Sequence, residues 1–172
     1  MIVRTEEMKD YEGIFDINVQ AFNHRDDEAR LVERIRQSNK FIPELSLVGE
    51  LDDEIVGHAL FSEAAVKNEN NEETVIVLAP IAVKPALQKQ GIGKALIEEG
   101  IKRCRALGYD FILLIGHPSY YSKLGFKPAR NYGLELTQFE VPDDVFMVYE
   151  LGENKLGQIK GELVYPEAFF AD

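Results

Sequence analysis

Cysteine is nearly missing. Cys104 stands alone in 172 residues, so an internal disulfide framework is excluded. No apolar run approaches the ~20 residues that cross a bilayer, and the opening MIVRTEEMKDYEG lacks the basic and apolar regions of a signal peptide. The expected home is therefore a reducing cytoplasm, with no membrane partner. Positive charge is also short: 19 Lys and Arg against 30 Asp and Glu leave a formal charge of −11. Nucleic acid demands a basic patch for its phosphates, so this balance speaks against it as a partner. Solubility is the simplest reason for the acidity; where it acts on a partner, it favours cationic small molecules or basic peptides. Internal repeats, low-complexity tracts and proline-rich linkers are absent too, and the length suits one domain over residues 1–172.

What is present reads as mixed α and β. Residues 2–4 open a short strand, and Tyr11, Ile14, Phe15, Asn18, Val19 and Phe22 recur at helical spacing from about Met8. NHRDD breaks that helix. A second starts at Asp26, Asp27 and Glu28 and ends at Arg34 and Arg36, matching the macrodipole at both ends. ELSLVGELDDEIVGHALFSEA is a hairpin signal around Asp52 and Asp53. ETVIVLAPIAV is nearly continuous in apolar residues, as a strand covered on both faces would be. A glycine-flanked helix follows and stops at Gly108, and YDFILLIG is a further buried strand, which makes a βαβ crossover with a parallel pair. PSYYSKLGF gives a short helix ending at Gly125. A polar loop, an edge-like strand VFMVYEL and a last alternating piece, GQIKGELVY, complete the chain. The expected class is α+β (mixed α/β): a mostly antiparallel sheet with one parallel crossover.

The segment QKQGIGKALIEEG places glycines and lysine at the mouth of a helix, where unpaired N–H groups and the positive end of the macrodipole favour an anion. A Walker loop fails here, because Gln88 stands where glycine should and Ala95 where the magnesium-binding hydroxyl should. A dinucleotide fingerprint fails as well, since Leu96 occupies its third glycine position. The Gln/Arg-x-x-Gly-x-Gly/Ala loop fits at Gln88, Gly91 and Gly93, and lets backbone amides surround a pyrophosphate. A tight turn before a helix explains the glycines equally well on motif grounds alone. Pro80 weighs against the plain turn. It cannot donate within a central ladder, so the strand is expected to splay from its parallel neighbour, freeing Ile81, Ala82 and Val83 to pair with an extended amide-bearing ligand. A pyrophosphate joined to an arm with two amides is coenzyme A.

The strand LAPIAVKP, the loop QKQGIGKAL and the helix YYSKLGF together resemble the GNAT N-acetyltransferase superfamily, and GHPSYYSKLGFKPA resembles its YhbS-like branch. The resemblance implies a GNAT fold with a splayed pair of strands, in a single N-acetyltransferase domain. It implies direct transfer of an acetyl group from acetyl-CoA to an amine, on a small molecule or a peptide, without a metal. The coenzyme would be held by Ile81, Ala82 and Val83 together with Gln88, Lys89, Gln90, Gly91, Ile92, Gly93 and Lys94. Tyr121 would protonate the departing thiolate, a role phenol suits because it titrates near 10 and a thiol near 8.5. Tyr120 is expected to be ordinary aromatic packing.

Two departures from the family pattern stand out. The stretch VIVLAPIAV holds no carboxylate to deprotonate the amine, with Glu72 and Glu73 only at its far end. The usual asparagine before the tyrosine helix is missing, and His117 either fills that role, acts on a proton or is structural in its turn before Pro118. His58 and Cys104 read as packed, and His24 as a surface loop residue. A catalytically idle coenzyme A-binding or sensing module remains the alternative, and a homodimer is left open.

Overall fold

The computed structural model describes residues 1–170. Strand β1 (Ile2–Thr5) leads through a 3-10 turn at Met8–Asp10 into helix α1 (Tyr11–Ala21). Asn23 and His24, at φ 56° and 62°, end it in the left-handed region that such residues enter more readily than most. Helix α2 (Asp27–Arg36) carries its acids in the first turn and Arg34 and Arg36 in the last. Strands β2 (Ser46–Leu51) and β3 (Glu54–Lys67) form the expected hairpin, and Asp52 and Asp53 take φ 51° and 63°, as a type I′ turn requires. Strand β4 (Glu72–Val83), helix α3 (Ile92–Ala106), strand β5 (Phe111–Ile115) and helix α4 (Pro118–Tyr121) follow. The last strands are β6 (Lys127–Pro128), β7 (Leu134–Glu135), β8 (Phe146–Glu150) and β9 (Gly161–Val164). Among the described residues no helix is long and apolar enough to cross a membrane.

The chain divides into two compact units, and β3, β4 and α3 each contribute residues to both. The first unit comprises Met1–Ser62, Leu78–Arg103 and the chain from Ala168. In it β1 pairs antiparallel with β2, and β2 with β3. Ile14 of α1 and Val32 and Ile35 of α2 bury themselves against Val48 and Leu60 of the hairpin. Each such side chain contributes about 1.5–3 kcal/mol of transfer free energy.

The second unit comprises Glu63–Val77 and Cys104–Glu167. Its centre is β5, whose Phe111, Ile112, Leu113 and Leu114 are all at most 2% exposed. β5 pairs in parallel with β4 at Ile76 and Val77 and antiparallel with β8 along its whole length. One sequence expectation needs correction here. The strand in VFMVYEL is not an edge, because β8 pairs with β5 on one side and β6 on the other, and Phe146, Met147 and Val148 are buried. A second parallel pair also exists, since β7 runs beside β9, which itself pairs antiparallel with the end of β3.

Candidate functional site

The glycine loop lies in the first unit. A 3-10 turn at Pro85–Leu87 leads into it, Lys89 takes φ 64° and Gly91 φ 91°. Left-handed residues of this kind are the backbone conformations from which anion-binding nests are built. Ala95 N–H is bonded to Gly91 C=O at 3.0 Å, so Gly91 caps α3. The amides of Ile92, Gly93 and Lys94 precede that donor and have no carbonyl a turn back to accept them. Ile92 points its own side chain into the core, 7% exposed, and so offers only its N–H. Gln88 turns its side chain back, with Nε2 donating to Val83 C=O at 3.2 Å. Val83 C=O, expected to be free for an extended ligand, is therefore engaged. Lys89 and Lys94 are exposed at the loop, and Lys94 Nζ lies 4.0 Å from Glu98, a loose surface pair.

In β4 the expected loss of pairing is visible in the ladder: β5 registers with Ile76 and Val77 and with no later residue of β4. The Ala79–Pro80 bond is cis. Ala82 is buried, whereas Ile81 and Val83 are half-buried.

Tyr121 lies in the second unit, at the end of α4. Its ring meets Phe126 edge-on at 5.5 Å and Tyr120 at 5.0 Å. Gly116 makes room for it, because a Cβ there would stand 2.3 Å from Tyr121 Cε2. The ring is thus packed, only 9% exposed, while Tyr120 is 42% exposed. This reverses the packing expected of the pair. Among the described residues no group hydrogen-bonds the Tyr121 hydroxyl. Burial, with a smaller push from Tyr120, raises the phenol to about 12. The phenol therefore stays protonated throughout the neutral range.

The remaining candidates fall as the sequence suggested. Cys104 is fully buried and its thiol is pushed up to about 12 by burial, so it is not a nucleophile. His24 is exposed. His58 is fully buried in a polar cluster of the first unit that no local pattern announced. Its Nε2 lies 3.1 Å from Ser46 Oγ, which donates to Glu6 Oε1 at 2.6 Å, and Arg36 clasps both Glu6 oxygens at 2.8 and 2.9 Å. Despite its Ser, His and Glu, this cluster has no exposed face for a substrate. Among the described residues no group of three or more His, Cys, Asp or Glu is placed to hold a metal ion.

A model of the Acetyltransferase (GNAT) family matches residues 11–126. The chain belongs to that family. The matched stretch includes β4, the glycine loop, α3 and Tyr121. The GNAT chain is 34% identical to YjhQ of Escherichia coli K12, an uncharacterized N-acetyltransferase, over 78% of its own length and 74% of YjhQ. It is 29% identical to the uncharacterized N-acetyltransferase YhbS of the same organism, over 98% of each chain. The crystal structure of YhbS in complex with CoA superposes with a TM-score of 0.88, covering 98% of this chain and 91% of that one at 28% identity. A GNAT family acetyltransferase from Brucella melitensis, in complex with acetyl-CoA, gives 0.78 at 28% identity, covering 98% and 97%.

Proposed function

We propose that this GNAT chain transfers an acetyl group from acetyl-CoA directly to the nitrogen of an amine acceptor, with residues 1–172 acting as one N-acetyltransferase domain. The observation that carries the reading is the row of uncommitted amides at Ile92, Gly93 and Lys94 behind the left-handed Lys89 and Gly91. Those amides take the pyrophosphate of coenzyme A, with Lys89 and Lys94 adding charge and Gln88 and Gln90 completing the loop. Ile81, Ala82 and Val83 align the amide-bearing arm, mainly through backbone groups other than Val83 C=O. An amide N–H of the same stretch supports the thioester oxygen as charge develops on it. The amine nitrogen bonds to the acetyl carbon, the carbon–sulfur bond breaks, and the thiolate leaves with the proton of Tyr121. The amine attacks in its neutral form, and the proton its nitrogen sheds on becoming an amide leaves through water, which returns a proton to Tyr121, because β4 offers no carboxylate between Thr74 and Val83.

Coenzyme A or acetyl-CoA is expected to raise the melting temperature. At 100 times the dissociation constant a ligand adds about 2.7 kcal/mol, roughly 5–11 °C for a chain of this size. MgATP and NAD should do little; stabilisation by MgATP without stabilisation by coenzyme A would remove the cofactor assignment. Gly93→Val should weaken coenzyme A binding and leave the fold largely intact, because its methyl groups crowd the phosphate approach.

The acceptor class is tested by thiol release from acetyl-CoA with amines, polyamines and peptide N-termini. Given the net charge of −11, cationic acceptors are expected to show the higher kcat/KM, falling as salt screens their attraction. Preferred turnover of acidic acceptors, indifferent to ionic strength, would count against that assignment. Binding of coenzyme A with no thiol release to any acceptor would favour an idle sensing module.

A further inference from the structure

His117 is exposed between β5 and α4, and its Nδ1 lies 3.3 Å from Ser119 N and 2.7 Å from Ser119 Oγ. A backbone N–H can only donate, so Nδ1 is the unprotonated nitrogen and the serine hydroxyl donates to it as well. The proton of the neutral ring then sits on Nε2. The His117 carbonyl accepts from Tyr120 N–H and Tyr121 N–H, both at 3.1 Å. Pro118 has no N–H to satisfy. One residue therefore accepts from all three amide donors of α4. Even continued by the 3-10 turn at Ser122–Leu124, so short a helix has an unfavourable nucleus without outside partners.

We propose that His117 is the positioning residue of Tyr121. Its unprotonated Nδ1 caps the short helix that aims the phenol, so position 117 must supply a hydrogen-bond acceptor but need not carry a proton. The inference rests on the reading of Tyr121 as the proton donor. The Tyr121 ring itself packs against Gly116, and the helix start sets how the backbone delivers it there. Asparagine places an oxygen at the same position along the side chain as Nδ1 and is a preferred cap, so it can replace the imidazole in this role. Alanine cannot.

The test compares His117→Asn, His117→Ala, Tyr121→Phe and the His117→Ala/Tyr121→Phe double variant in the full chain. His117→Ala should lower kcat roughly 10- to 100-fold, the scale of a misplaced catalytic group, with KM for acetyl-CoA and stabilisation by CoA unchanged. His117→Asn should restore kcat to near the parent value. The double variant should be no slower than Tyr121→Phe alone, because His117 acts through Tyr121. Without any acceptor, ¹⁵N NMR of the parent should place the imidazole proton on Nε2. Tyr121 ring signals should broaden in His117→Ala and sharpen again in His117→Asn. An Asn variant as slow as Ala would mean that the imidazole itself moves a proton, and would overturn the proposal. So would a fully active Ala variant, additive losses in the double variant, or a proton on Nδ1. Full turnover by Tyr121→Phe would instead remove the tyrosine reading itself, and is seen independently of the His117 variants.

Discussion

Tyr121→Phe is expected to lower turnover by roughly 10²–10⁴, the range of a positioned general acid, which corresponds to about 2.7–5.5 kcal/mol of barrier. The substitution removes one oxygen and keeps the ring that Gly116 and Phe126 hold. No group among the described residues bonds that oxygen, so the melting temperature should hardly move. Stabilisation by coenzyme A should also survive, because the residues proposed to hold it lie elsewhere in the chain. The alkaline behaviour follows from the environment of the phenol. Burial raises it to about 12, so its donor form persists well above the thiol range and is lost only as the pH passes that value. Parent and variant should therefore share one profile shape up to about pH 10 and differ in amplitude. Tyr120→Phe should be nearly silent, its ring being 42% exposed. Steady-state rates on a good acceptor decide the matter, and undiminished activity in Tyr121→Phe would reduce Tyr121 to packing.

Periodicity and turn chemistry made much of the fold legible. The paired aspartates at 52 and 53 announced the first hairpin, and the unbroken apolar strands β4 and β5 announced two-sided burial. β8 escaped because its second neighbour, β6, is two residues long and leaves no periodic trace. The same holds for β7, whose parallel pairing with β9 joins segments that no local pattern links. At the candidate site the loop sequence gave its own conformation away through glycine. The Gln88 bond to Val83 and the His117 cap did not show, since each depends on a rotamer rather than a residue type. The reversal of Tyr120 and Tyr121 has a similar origin. Adjacent residues on one helical turn point apart, and the space left by Gly116 beside Phe126 takes Tyr121.

The cluster around Glu6 was the least legible of all, its members being spread over residues 6, 36, 46 and 58, and it carries the largest expected effect on stability. Glu6 and Arg36 side chains are 4% and 12% exposed. Burial pushes the Glu6 carboxyl up, but His58, whose Nε2 lies 3.7 Å away, and the hydrogen bonds from Arg36 and Ser46 together outweigh it and hold it at about 2. A carboxylate lowered from 4.5 to about 2 corresponds to about 3 kcal/mol of stability. That stability is fully present above the ordinary carboxylate range and is lost as the pH falls toward 2. His58 adds to acid sensitivity, because burial lowers its imidazole and stability declines once the pH drops below the ordinary histidine value. Arg36→Met keeps much of the aliphatic stem and removes the guanidinium, whose carbon lies 3.8 Å from the centre of the Tyr11 ring, leaving Glu6 buried without its charged partner. The expected loss is about 3–5 kcal/mol at neutral pH, roughly 6–20 °C in Tm. Without the guanidinium, the Glu6–His58 pair should bind a proton at higher pH than in the parent, wherever within the pair it resides. The penalty should therefore shrink between pH 7 and pH 5, and a Glu6→Gln/Arg36→Met variant should recover part of it at neutral pH. Denaturant titrations at the two pH values measure this; an equal loss at both would mean that packing of Arg36, rather than its charge, holds this part of the first unit together.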